Sequence, residues 1–236
     1  MEEEIQTNEH TDWHVPWSKR DVWFGAGSLI LYVIVILAAG LAVNLLQLKM
    51  DIGVFIILSE LLLMLPVWFF TIHKYKITWR EVGFREFSPK YILLGFGLMF
   101  IYLIFNAIFS MLVLIPLGKT IQGDLFAQLA KIDWSVWLWL GGAFAAPLAE
   151  EVFFRGFIFG GLKNPLGWKW AAVISGLLFA LMHMNLTTLL PAFVIGFLFA
   201  FLYHKSNSIW PGIIIHTTNN LMAFFAVSLL IKLGEI

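Results

Sequence analysis

The sequence predicts an all-α fold, a polytopic transmembrane helical bundle of about seven spans, with six to eight as the range. Two observations predict it. Of 236 residues, 60% are hydrophobic and only 13% charged, with a mean hydropathy of +0.86, well outside the composition of soluble domains. Apolar stretches long enough to cross about 30 Å of hydrocarbon also recur along the chain, separated by short polar links. Fifteen Lys plus Arg balance fifteen Asp plus Glu, so no net field recruits nucleic acid, and specific recognition has to come from a site. Cysteine is absent. That excludes disulfides, thiolate nucleophiles and Cys-based zinc sites, and leaves His and carboxylate as metal ligands.

The elements follow in order. The acidic start Met1-Glu-Glu-Glu lacks the basic lead of a cleaved signal peptide, so the first apolar span is expected to remain as an anchor. Residues 1–20 read as a disordered or interfacial polar tail, in which His10 and His14, four apart with no acid in register, make a weak metal signal. Spans are expected at Trp23–Leu48 and Ile52–Ile72. Within the second, Pro66 reads as a tolerated kink, and Glu60 as either a protonated interhelical donor or a functional group. The basic, aromatic segment 73–90 suits a surface-lying helix or loop. A third span is expected at Tyr91–Leu117, with Gly95 and Gly97 placed for close packing and Asn106 for a packing hydrogen bond. A polar link with Lys119, Asp124, Lys131 and Asp133 follows, and Trp134, Trp137 and Trp139 read as an interface belt opening the fourth span. The last three spans are expected at Trp168–Met184, Leu189–Tyr203 and Ile209–Leu233.

Basic residues orient the bundle. Separators on the N-terminal side hold ten (Lys19, Arg20, Lys74, Lys76, Arg80, Arg85, Lys90, Lys163, Lys169, Lys205), whereas the other side holds four (Lys49, Lys119, Lys131, Lys232). The N-terminus is therefore expected in the cytoplasm.

The fourth span carries Ala146-Pro-Leu-Ala-Glu-Glu-Val-Phe-Phe-Arg-Gly156. Unpaired, each ionised group at the centre of a span costs roughly 2.5–3.5 kcal/mol, so Glu150, Glu151 and Arg155 require partners or a function. Residues four apart lie about 40° apart around a helix and residues five apart about 140°, so Arg155 faces Glu151, and Glu150 points elsewhere. His183 ends Phe179-Ala-Leu-Met-His, and His216 and Asn220 share a helical face in His-Thr-Thr-Asn-Asn, with Asn219 the weaker candidate. A carboxylate, two imidazoles and an amide from three spans compose a hydrolytic site without a Ser or Cys nucleophile. Glu150 can take a proton from water, and His183 can hold that water or return the proton. His216 and Asn220 can donate to an oxyanion. Alternatively, Glu150, His183 and His216 can coordinate zinc with water as fourth ligand.

Glu-Glu-Val-Phe-Phe-Arg-Gly, Phe-Ala-Leu-Met-His and the stretch from Ser208 to Asn220 resemble the EExxxR, FxxxH and HxxxN motifs of the CPBP intramembrane proteases, which include type II CAAX prenyl endopeptidases and Abi proteins. The resemblance spans roughly Trp137 to Phe225. It implies Glu150 and His183 as the water-activating pair, Glu151 and Arg155 as motif partners, and His216 and Asn220 as oxyanion donors. It further implies a prokaryotic cell-membrane protein acting on a membrane-associated or lipidated peptide, with no cofactor favoured and zinc as the alternative. The expected organisation is a tail over residues 1–22, N-terminal spans and basic loop over 23–132, and a catalytic core over 133–233. Two other readings compete: a proton-coupled transporter, which would show repeats and polar residues along a path, and a non-catalytic interaction or immunity protein.

Overall fold

The structure, a computed structural model, describes residues 13–118 and 134–233. His10 and the link with Lys119, Asp124, Lys131 and Asp133 lie outside the described residues. Joining contiguous helical turns gives eight helices among the described residues: α1 (Lys19–Leu45), α2 (Ile52–His73), α3 (Trp79–Val82), α4 (Lys90–Leu117), α5 (residues 136–166), α6 (Trp168–Met182), α7 (Leu189–Ser206) and α8 (Trp210–Leu233). No strand occurs among the described residues. Among the described residues, five helices (α1, α2, α4, α7, α8) are long and apolar enough to cross a membrane. Together with α5 and the shorter α6, they form a polytopic helical membrane bundle.

Local chemistry sets the helix ends. α1 begins four residues before the first apolar residue expected to open it, because Ser18 caps it reciprocally with Asp21. Lys74 and Tyr75, which follow α2, also bond the Asp21 carboxylate, tying the two helices together. Thr78 and Glu81 form a second capping box that starts α3 inside the basic segment. Asn207, in the left-handed region at φ 51°, closes α7 three residues beyond its expected end. Gly167, at φ 78°, makes the sharp corner between α5 and α6.

The outer faces of α1 and α4 are apolar and exposed, as at Ile30 and Leu93, and suit lipid. The core forms around α5, whose nine residues Glu151–Phe159 are all buried. Trp17 lies inside rather than in an interfacial tail: it is buried and donates from Nε1 to the Phe157 carbonyl at 3.1 Å. A Cβ on Gly53 would fall 2.0 Å from the Trp137 backbone, so α2 and α5 cross with their main chains in contact. Gly95 likewise admits Ile215, but Gly97 has no neighbour within 4 Å and faces outward. The hydrogen bond expected at Asn106 is not made by Oδ1, which is buried without a partner.

Much of α5 is π-helical, over Leu140–Ala145 and Glu151–Phe159 on either side of a short α segment containing Pro147. Proline offers no N–H to the preceding turn, and π turns absorb such gaps and recur at functional sites. α6 runs back along the C-terminal half of α5, with Ser175 Oγ donating to Phe154 O at 2.7 Å. Its 15 residues rise about 22 Å, which brings its C-terminal end to the level of Glu150.

Candidate active site

The charged centre of α5 is neutralised from within. Arg155 Nη1 lies 3.0 Å from Glu151 Oε1, four residues back, with both side chains buried. That is the pairing expected from helix geometry. Its contact is an ion pair rather than an aligned hydrogen bond; the aligned bond runs from Arg155 Nη2 to Gly196 O on α7, at 3.0 Å. The guanidinium also lies 4.5 Å from the centre of the Phe179 ring and 5.4 Å from that of Phe199, where ring quadrupoles stabilise a desolvated cation.

His216, on α8, stands between the two glutamates. Its Nδ1 lies 3.2 Å from Glu151 Oε1 and its Nε2 3.6 Å from Glu150 Oε2. Glu151 thus holds Arg155 and His216 together, while Glu150, with a side chain 20% exposed, remains open. Gly212, one turn before His216, makes room for this arrangement. A Cβ there would sit 2.9 Å from Glu151 Oε2, and the carboxylate cannot move aside without loosening both partners. Gly212→Ala gains about 1 kcal/mol of helix propensity, but overpacking a filled site costs about 1–3 kcal/mol. The expected outcome is a lower Tm in detergent, falling further in Gly212→Val.

His183, capping the C-terminal end of α6, places Nδ1 2.9 Å from the Phe179 carbonyl. A carbonyl only accepts, so Nδ1 carries the hydrogen, and in the neutral ring Nε2 keeps its lone pair. Glu150 and His183 line one cavity of about 210 Å³ between α1, α2, α5 and α6. Tyr32 and Glu60 line it too. A lone acid in an apolar span was the sequence signal for Glu60; nothing local pointed to Tyr32. Asn220 Nδ2 donates to Gly142 O on α5 at 2.9 Å, whereas Asn219 reaches only Asn220 Oδ1, at 3.4 Å. His216 and Asn220 are not among the cavity's lining residues. His216 borders Glu150 from behind, and Asn220 is anchored two turns further along α5.

The zinc alternative requires Glu150, His183 and His216 to converge on one point. Among the described residues no three His, Cys, Asp or Glu side chains are grouped to hold an ion. His216 instead turns both ring nitrogens toward carboxylates. This arrangement does not fit a three-ligand zinc site.

Comparison with known proteins bears on the same region. The UPF0177 protein YxdF of Lactococcus lactis subsp. lactis (strain IL1403) is 39% identical over 85 residues, which cover 36% of this chain and 46% of that protein. The protein named "Putative membrane peptidase YdiL" of Bacillus subtilis (strain 168) is 39% identical over 74 residues, covering 31% of this chain and 30% of that protein. The matches thus span less than half the length of either relative. No solved structure matches. The model of the type II CAAX prenyl endopeptidase Rce1-like family matches residues 132–222 of this chain, the stretch that holds all three motifs.

Proposed function

We propose that the chain is an intramembrane endopeptidase that hydrolyses a peptide bond of a membrane-associated substrate with a water activated by Glu150. The observation that carries this reading is the convergence of Glu150 and His183, from separate helices, on one cavity inside an otherwise apolar bundle. Glu150 accepts a proton from the water as its oxygen attacks the carbonyl carbon. His183 Nε2, free because Nδ1 is committed to Phe179 O, accepts a hydrogen bond from that water, and the proton passes on to the leaving amine. We assign the oxyanion to His216 and Asn220 by their motif positions, which puts the substrate carbonyl on the side of Glu150 that these two residues border, outside the cavity lining. Asn220 keeps one amide hydrogen beyond the one given to Gly142.

A second cavity of about 290 Å³, lined by α1 and α2 with mostly apolar residues and Ser28, shares Tyr32 with the first. This suits a peptide delivered from the bilayer, lipidated or inserted. The decisive experiment compares the membrane proteomes of cells carrying wild type or Glu150→Ala; the reading requires a cleaved membrane peptide present with wild type alone.

Catalysis in this reading uses no metal. Purified protein is expected to be active without stoichiometric zinc, and Asn220→Ala to lower kcat by roughly 10²-fold or more with little change in KM, as for a contact made mainly in the transition state. One zinc per active chain, with activity lost on chelation and restored by zinc, would overturn this.

The ten-to-four distribution of basic residues supports a cytoplasmic N-terminus, and seven crossings put the C-terminus outside, in a bacterial cell membrane. Reporter fusions at residues 10 and 236 are expected to report opposite faces.

A further inference from the structure

One buried acid has no place in this chemistry. Glu60, on α2, is 9% exposed, and its Oε2 is sealed from solvent without a hydrogen-bond partner. None of the ion pairs among the described residues involves it. The neighbouring Ser59 hydroxyl does not serve it, being donated to Ile56 O at 2.7 Å. Yet Glu60 lines the cavity that holds Glu150 and His183.

Two carboxylates in one apolar cavity do not both ionise cheaply, because each charge disfavours the other and burial disfavours both. The surroundings decide which group keeps the proton. Glu150 has His216 at 3.6 Å, and Arg155 lies one turn further along α5. The titratable groups lining the cavity around Glu60 are Tyr32 from α1, Glu150 from α5 and His183 from α6, with no Lys or Arg. A basic side chain thus lies beside Glu150, whereas none lines the cavity around Glu60 apart from His183.

We infer that Glu60 is a positioning residue of this site, a neutral carboxylic acid that donates a hydrogen bond across the cavity toward Glu150 and its water. It orients the base and accounts for an acid in a span that no cation compensates. Its effect on rate rests on the peptidase reading; its protonation does not, and the two are tested separately.

In native membranes, the apolar reagent dicyclohexylcarbodiimide adds whole across a protonated carboxyl O–H and rearranges to a stable N-acylurea. Mass spectrometry of digested wild-type protein is expected to place this adduct on Glu60, with none at position 60 in Glu60→Gln. Absence of the adduct from Glu60, or its appearance on Glu150 instead, would overturn the inference. In the cleavage assay, Glu60→Gln, which retains a donor without a titratable proton, is expected to keep its rate within about threefold. Glu60→Leu, lacking any donor, is expected to lose about tenfold or more. Equal loss in both variants would show that a neutral donor at position 60 does not support the rate and would also overturn it. A Glu60 adduct in protein that cleaves nothing would uphold the neutral acid and count against the peptidase reading alone.

Discussion

Glu150→Gln is expected to abolish cleavage in protein that inserts and folds normally. The substitution keeps the size and polarity of the side chain but removes the group that takes the proton from water. Loss of a general base costs about 10²–10⁴-fold, and more where no neighbour can substitute. Glu150 is the member of the acidic pair whose charge the bundle does not depend on. Its side chain is 20% exposed, and its closest ionic neighbour, His216 Nε2, is 3.6 Å away. Glu151, by contrast, is buried against Arg155 and His216 at 3.0 and 3.2 Å. Glu150→Gln should therefore retain a wild-type Tm and elution profile in detergent, whereas Glu151→Gln should lower both stability and membrane yield. Wild-type turnover in Glu150→Gln would mean that the base has been misassigned.

The second large effect concerns stability. Arg155→Met is expected to destabilise the bundle by about 3–5 kcal/mol, because removing one member of a buried ion pair strands the other charge. At this chain length that corresponds to a fall in Tm of roughly 6–20 °C. Glu151, 1% exposed, would lose its cation at 3.0 Å, and Gly196 O its donor at 3.0 Å. The aromatic walls at Phe179 and Phe199 would accept the methionine readily, so the loss would come from the stranded charge rather than from poor packing. The double variant Glu151→Gln with Arg155→Met tests this directly. Neutralising the stranded acid should recover a large part of the lost stability, and a double variant no more stable than Arg155→Met alone would point to lost packing instead.

The sequence by itself determined the features that depend on neighbours along the chain. Span positions follow from local hydropathy, and the observed helices begin and end within about four residues of the expected limits. The offsets arise from capping chemistry at Ser18 and Asp21 and from the left-handed residue Asn207. The facing of Arg155 toward Glu151 follows from a spacing of four on one helix, and the structure shows that pair at 3.0 Å. The tertiary structure alone decided what converges. His183 reaches the level of Glu150 because α6 is short and runs back along a 136–166 helix longer than any single crossing requires. Glu60 and Tyr32 enter the cavity, Trp17 leaves the tail for the core, and His216 falls between two carboxylates. The reason is that helices apolar on every side carry little periodic signal of which face turns inward. Inward faces are chosen instead by close backbone approaches such as Gly53 on Trp137, between residues distant in the chain.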